Sequence, residues 1–165
     1  MTRHRSGPRR SLAVGGAIVI AAFLAAAMAR AAEPLAAENA WVPLAPPVAK
    51  VHAGYMTIVN RGDTDQHIVA AESPHYAHVE LHESFVKDGL SGMRPIDQVT
   101  VPAQGRVAFE PAGLHFMLIG PKQRQALDGH VRIVLRLRSG EQLGVSAVVR
   151  RHGSPGGHHH HTGSP

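Results

Sequence analysis

Cysteine is absent from all 165 residues of this sequence, and its absence excludes several kinds of site at once. Without a thiol the chain can form no disulfide, use no thiolate nucleophile and hold no cysteine-ligated zinc. A blue-copper electron-transfer centre is excluded as well, because it needs a cysteine sulfur. Once a leader is removed, the remaining chain of about 130 residues is long enough to bury a core without disulfide bonds.

Acidic residues are absent from the first 32 positions, which instead have the pattern of a secretory signal. Four arginines lie within the first ten residues, an apolar run extends from Leu12 to Met28, and Ala-x-Ala cleavage patterns end at Ala29 and Ala31. We therefore predict a signal helix over residues 1–31 and a periplasmic or extracytoplasmic protein. The run falls short of the about 20 apolar residues of a spanning helix, although an uncleaved anchor stays an alternative. Arg9-Arg10 leaves Sec and twin-arginine export both open.

The positive charge of the chain belongs to this leader. Five of the 17 Lys and Arg residues precede Ala32, whereas all 12 Asp and Glu residues follow it, so residues 32–165 carry 12 charges of each sign. A basic nucleic-acid-binding surface is not supported. We expect a mature protein that is monomeric, binds no nucleic acid and has no membrane contact.

A convincing helical period is also missing beyond the leader, and short alternating segments separated by turn residues take its place. The sequence predicts an all-β antiparallel sandwich or barrel over residues 40–150, with a flexible leader at 32–39 and a disordered tail at 151–165. We predict three local strand pairs, which are 51–59 with 66–71, 99–102 with 106–109, and 131–137 with 143–149. A further segment, 77–84, is followed by a turn at 87–89 and a returning strand at 90–96.

Two histidines and two methionines stand out as candidate metal ligands. Ten residues separate His82 from Met93, 21 separate Met93 from His115, and one separates His115 from Met117. Residues i and i+2 of a strand share a face, so His115 and Met117 project together, and the turn after 84 can return Met93 towards His82. Thioether sulfur favours Cu(I), imidazole accepts copper in either oxidation state, and a shell without oxygen disfavours Mg²⁺ and Ca²⁺.

With this spacing, H-x₁₀-M-x₂₁-H-x-M, the sequence resembles the PCuAC family of periplasmic copper chaperones. The segments around the four residues are also similar to that family, as are Ala40-Trp41, residues 53–58 and residues 60–63, so the similarity covers about residues 40–149. The resemblance implies a cupredoxin-like fold with Cu(I) held by His82, Met93, His115 and Met117. It also implies a copper-accepting partner, either cytochrome oxidase subunit II with its copper A centre or a Sco-type thiol protein.

Other residues near this motif have structural interpretations as well as functional ones. Glu80, Glu83 and Arg94 either orient the imidazoles or form a solvated strand face. Met56 is expected to pack in the core. His52, His75 and His78 are expected at the surface, and His67 and His130 at exposed strand edges. Ser84 lacks the Gly-x-Ser-x-Gly context of an acyl-transfer nucleophile, so that activity is excluded.

The tail contains four consecutive histidines, which we consider as secondary ligands for Cu(II): His158, His159, His160 and His161. A remnant affinity tag and a spacer without function are the alternatives. For the domain itself we predict a copper carrier that is not an enzyme. Two alternatives stay open at this point: a copper-dependent redox protein of oxidase type, and a β-sandwich interaction module that binds no metal.

Overall fold

A computed structural model describes residues 35–151, which form ten β-strands. No helix in this range could cross a membrane. The predicted signal helix and nearly all of the predicted tail lie outside the described residues. The strands are β1 Leu35–Pro43, β2 Val51–Asn60, β3 Gln66–Glu72, β4 Tyr76–Lys87, β5 Leu90–Pro95, β6 Val99–Val101, β7 Arg106–Phe109, β8 Leu114–Pro121, β9 His130–Leu137 and β10 Gln142–Arg150.

Seven of these strands close into a barrel. The hydrogen-bonded order runs β4-β8-β2-β1-β10-β9-β3, and a β3–β4 pairing completes the ring. Strand β7 pairs with both β2 and β8, whereas β5 pairs with β4 and β6 with β3. The all-β, cupredoxin-like prediction is confirmed. Most pairs are antiparallel as expected, but β1–β10 and β7–β8 are parallel, so the barrel is mixed.

Alternating apolar residues fill the barrel interior. Strand β9 shows the pattern most clearly, because Val131, Ile133 and Leu135 are fully buried and the arginines at 132 and 136 are exposed. The side chain of Met56 is 2% exposed and belongs to this core, as predicted. Burying each such side chain contributes about 1.5–3 kcal/mol to stability.

Three expectations about the chain path are wrong. The ordered part does not begin at Ala40, because Leu35 is buried and β1 pairs with β2 from Leu35 opposite Asn60. Strands β2 and β3 do not form a hairpin, because β1 occupies one edge of β2 and β7 and β8 occupy the other. Strands β6 and β7 likewise pair with other strands instead of each other. The predicted β9–β10 hairpin is confirmed.

The β4–β5 hairpin forms as the sequence predicts. Its two-residue turn is Asp88-Gly89, with φ values of 52° and 79°, and Lys87 pairs with Leu90 across it. Two successive positive φ values define a type I′ turn, whose twist matches that of the flanking strands. This tight turn fixes the register of β5 on β4.

Candidate metal centre

The two motif histidines face each other across neighbouring strands. In the β4–β8 pair, His82 lies directly opposite His115. Their ring centroids are 5.8 Å apart and both residues are 7% exposed. Adjacent strands therefore bring together two imidazoles that lie far apart in the sequence.

The strand register places both methionines on the same sheet face as the histidines. Met117 follows His115 by two residues and lies opposite Glu80, which in turn shares the face of His82. Met93 pairs with Ser84, two residues beyond His82, so it also lies on this face. Met93 is 57% exposed, which leaves its thioether open to solvent at the rim of the group.

Behind Glu80 and His82, the opposite face of β4 and β8 is apolar and forms part of the core. Leu81 lies opposite Phe116 and Val79 opposite Leu118. Phe116 and Leu118 are fully buried, and the Phe116 ring stacks on Phe109 with centroids 4.4 Å apart. The alternation of apolar and ligand-type residues therefore fixes the four candidate donors on the outer face of a rigid wall.

Each imidazole is oriented through a hydrogen bond at one of its two nitrogens. His115 Nδ1 lies 3.1 Å from the Gly113 carbonyl oxygen, which can only accept, so Nδ1 donates and Nε2 is the nitrogen left to bind an ion in the neutral ring. His82 Nε2 lies 2.9 Å from Glu80 Oε2 and donates to it in the same way. The remaining His82 Nδ1 is buried and has no hydrogen-bond partner among the described residues.

This arrangement fits a soft cation. Metal-binding histidines commonly donate their second N–H to a carboxylate or a backbone carbonyl, and both kinds of acceptor are present here. The described residues contain no group of three or more His, Cys, Asp or Glu that could hold a metal ion. The face instead offers two imidazole nitrogens that are not engaged by these hydrogen bonds and two thioethers, a set suited to Cu(I).

The other charged residues of the hairpin lie on the far face. Arg94 bonds Glu83 with Nη2 to Oε2 at 2.7 Å, and its guanidinium lies 6.0 Å from the Phe85 ring centroid. Glu83 and Arg94 are therefore paired with each other and do not contact the imidazoles. Of the three flanking residues, Glu80 alone bonds a motif histidine.

One prediction about a histidine of the domain is wrong. His52 is 9% exposed, and its Nδ1 lies 2.8 Å from the Tyr76 hydroxyl oxygen. Burial lowers the pKa of His52 and raises the pKa of Tyr76 to about 12. The alternation of β2, in which His52 shares a face with Met56 and Ile58, is the signal that identifies this position as internal.

Among the remaining histidines, His78 shares the outer face of β4 with Glu80 and His82, four residues before His82, but it forms no hydrogen bond to either motif histidine. His78 and His130 are exposed, as expected, whereas His67 and His75 are half-buried. The secondary ligands predicted in the tail lie outside the described residues: His158, His159, His160 and His161. Their role in Cu(II) binding stays a prediction.

The fold and this donor set define a cupredoxin-like protein of the PCuAC type. The profile of the family described as "Putative lipoprotein LpqE-like" matches residues 35–149, and the chain belongs to that family. The chain is 26% identical over 113 residues to "Putative lipoprotein Lxx21020" of Leifsonia xyli subsp. xyli, covering 68% of this chain and 67% of the relative.

Solved structures agree with this assignment. The solution structure of Cu(I)-DR1885 from Deinococcus radiodurans is 31% identical, with a TM-score of 0.60, and the match covers 80% of this chain and 87% of that one. The copper-bound PCuAC domain from PmoF2 has a TM-score of 0.61 over 73% of this chain and 96% of that one, but at 18% identity it shows the fold alone. The PCuAC resemblance of the sequence is thereby confirmed.

Proposed function

We propose that this protein is an exported copper carrier that binds Cu(I) through His82, Met93, His115 and Met117. The observation that carries the proposal is the strand register, which puts two imidazoles and two thioethers on one sheet face. The Cu(I)-bound structure of a 31% identical relative supports the choice of ion. Cu(I) is d¹⁰, so an irregular four-coordinate N₂S₂ shell carries no ligand-field penalty.

The carrier role follows from the unequal exposure of the ligands. Met93 is 57% exposed, whereas the two histidines are 7% exposed. A partner's ligand can therefore enter beside Met93 before the histidines leave, and the ion passes on by ligand exchange. We propose a copper-accepting protein as the recipient, either cytochrome oxidase subunit II at its copper A centre or a Sco-type thiol protein.

Competition between the full chain and a chromophoric Cu(I) chelator tests the ligand set. Met93→Leu and Met117→Leu are each expected to weaken Cu(I) binding at least about tenfold and Cu(II) binding less, because thioethers prefer the softer ion. Met56→Leu is the matched control, because its side chain lies in the core and the exchange nearly conserves volume. Equal losses for both ions at Met93 and Met117 would contradict thioether ligation.

The tail provides a second proposal about the same function, which concerns His158, His159, His160 and His161. We propose that these residues take up Cu(II), which free imidazoles favour, and pass copper to the N₂S₂ site after one-electron reduction by an external thiol or ascorbate. Replacing all four by asparagine in the full chain is expected to lower the Cu(II) stoichiometry and to leave Cu(I) affinity unchanged. An unchanged Cu(II) stoichiometry would remove the tail from the pathway.

We further propose that the protein is not an enzyme. The soft N₂S₂ donor set stabilises Cu(I) and disfavours cycling to Cu(II), so oxygen consumption with ascorbate should stay at the level of the His82→Ala variant. Turnover well above that level would favour the oxidase-type alternative. Protein that takes up no copper at all would favour the interaction module.

The family description and the signal-like leader together support export to the periplasm or the extracytoplasmic side. The family is named for lipoproteins, but this sequence contains no cysteine that could carry a lipid. Mass spectrometry of the exported protein tests the proposal that residues 1–31 are removed. A mature chain that still begins at Met1 would contradict it.

A further inference from the structure

A concave region lies at the end of the barrel where β8 finishes. The connection between β1 and β2 forms one wall and the segment after β8 forms the other, enclosing about 290 Å³. Its lining consists of Ala45, Pro46, Pro47, Ala49, Lys50, His52, Pro121, Lys122, Gln123, Arg124 and Gln125. Three prolines restrict the backbone on both sides, so the cleft is largely formed in advance.

The charge of this cleft is of one sign. Lys50, Lys122 and Arg124 line it, and no Asp or Glu does. The ion pairs among residues 35–151 involve Glu38, Glu72, Glu80 and Glu83, and none of them includes a cation of the cleft. Clustered positive charges repel one another, and a bound anion removes that repulsion.

The floor of the cleft is polar and held in place. His52 is 9% exposed and is fixed by its contact with the Tyr76 hydroxyl, with the two rings edge to face at 5.5 Å between centroids. Burial lowers the pKa of His52, which favours the uncharged form of its ring. The charged groups therefore stand around a neutral polar floor, which suits an anion entering from solvent.

The types of side chain that line the cleft indicate which class of anion it can bind. An arginine presents a planar fork of N–H groups that matches oxyanions, lysines act as point charges, and the amides of Gln123 and Gln125 add neutral donors. Three cations exceed what a single carboxylate requires. The volume also exceeds that of a bare phosphate ion, which leaves room for a small group attached to it.

We propose that this cleft binds a phosphate monoester group, at a site separate from the metal face. Pro121 lies four residues beyond Met117, or about 13 Å along β8 at about 3.3 Å per residue. His52 and Met117 also lie on opposite faces of the sheet, because Ala53, not His52, is the partner of Met117. Phosphate binding here does not depend on copper binding.

Titration of the full chain with glycerol 3-phosphate at low ionic strength, followed by NMR, tests the proposal. Saturable shifts are expected at His52 and the 121–125 segment, with the dissociation constant raised at least about fivefold by Arg124→Gln or Lys122→Gln. Arg106→Gln is the matched control, because Arg106 is exposed on β7 and does not line the cleft. Thermal unfolding of each variant checks that the fold is retained.

A second arm distinguishes a soluble phosphate ester from a lipid headgroup. Phosphatidylcholine vesicles with and without phosphatidic acid are sedimented with the wild-type chain and with Arg124→Gln. If the chain co-sediments only when phosphatidic acid and Arg124 are both present, the ligand is a lipid headgroup. If the chain does not co-sediment but binds glycerol 3-phosphate saturably, the ligand is a soluble ester. The proposal is overturned if glycerol 3-phosphate gives no saturable response, if Arg106→Gln weakens binding as much as Arg124→Gln, or if only an acidic polypeptide such as polyglutamate binds.

Discussion

Replacing Glu80 by glutamine isolates the contribution of a charge beside the proposed copper site. Glu80 Oε2 accepts from His82 Nε2 at 2.9 Å, and Glu80 lies opposite Met117 on the ligand face. Glutamine keeps the length of the side chain and an oxygen acceptor but removes the negative charge. Nε2 should still donate, so the ring keeps its orientation while His82 Nδ1 becomes a weaker donor to the ion.

The expected loss of Cu(I) affinity in Glu80→Gln can be estimated from the exposure of the Glu80 carboxylate. Loss of a group that orients a metal-bound histidine typically costs about 10- to 100-fold in metal affinity. The Glu80 side chain is 50% exposed, so solvent screens part of its charge, and we expect a loss of about tenfold for Glu80→Gln, or about 1.4 kcal/mol. Glu80→Ala also removes the acceptor and should approach the upper end of the range.

Cu(I) affinity by chelator competition and the His82 tautomer by ¹⁵N NMR are the two measurements. Glu83→Gln is a close control, because Glu83 lies on the same strand, is 41% exposed and also forms an ion pair, but faces away from the imidazoles. Equal weakening by Glu83→Gln and Glu80→Gln would refute a specific effect of the Glu80 charge. Unchanged affinity and tautomer in Glu80→Ala would refute its contact with the metal-binding ring.

Two further predictions concern stability. Phe116→Ala should lower the free energy of unfolding by about 3–5 kcal/mol, because the ring is fully buried and stacked on Phe109. Phe85→Ala is the control and should cost much less, because Phe85 is 40% exposed. Urea denaturation measures both, and equal losses would contradict the assignment of Phe116 to the core behind the metal face. His52 has a lowered pKa when folded, so the unfolded chain binds more protons below about pH 6.5 and stability falls as the pH drops from there towards the folded pKa. His52→Gln should flatten that part of the pH profile, and an unchanged slope would contradict a buried neutral His52.

The residues of the metal face could be predicted from sequence because their geometry is local. His115 and Met117 share a face through the two-residue period of a strand, and the Asp88-Gly89 turn sets the return of Met93. That His82 and His115 belong to one site was predicted from the resemblance to the PCuAC spacing. The patterns within β4 and β8 do not specify that these two strands are neighbours. That the four residues bind copper stays a prediction.

The features of the fold that could not be predicted from the sequence depend on contacts between segments that are distant in the chain. The parallel β1–β10 pair joins Trp41 to Val148, and no pattern within either strand specifies that partner. The expected β2–β3 hairpin fails because both edges of β2 are occupied by strands from elsewhere in the chain. Residues 35–39 were expected to be flexible because they are rich in alanine and glutamate, and only the edge offered by β2 orders them.

The position of β5 gives one of the four proposed donors more freedom to move than the other three. Three of the four proposed donors belong to strands of the closed ring, while Met93 projects from an outlying strand that, among those described, pairs with β4 alone. In the proposed copper carrier, the closed ring fixes the positions of His82, His115 and Met117, whereas the bending of the β4–β5 hairpin governs how closely Met93 approaches the ion. Substitutions in the Asp88-Gly89 turn would therefore change how readily the Met93 thioether leaves the ion, without altering the strands that hold the two nitrogen donors.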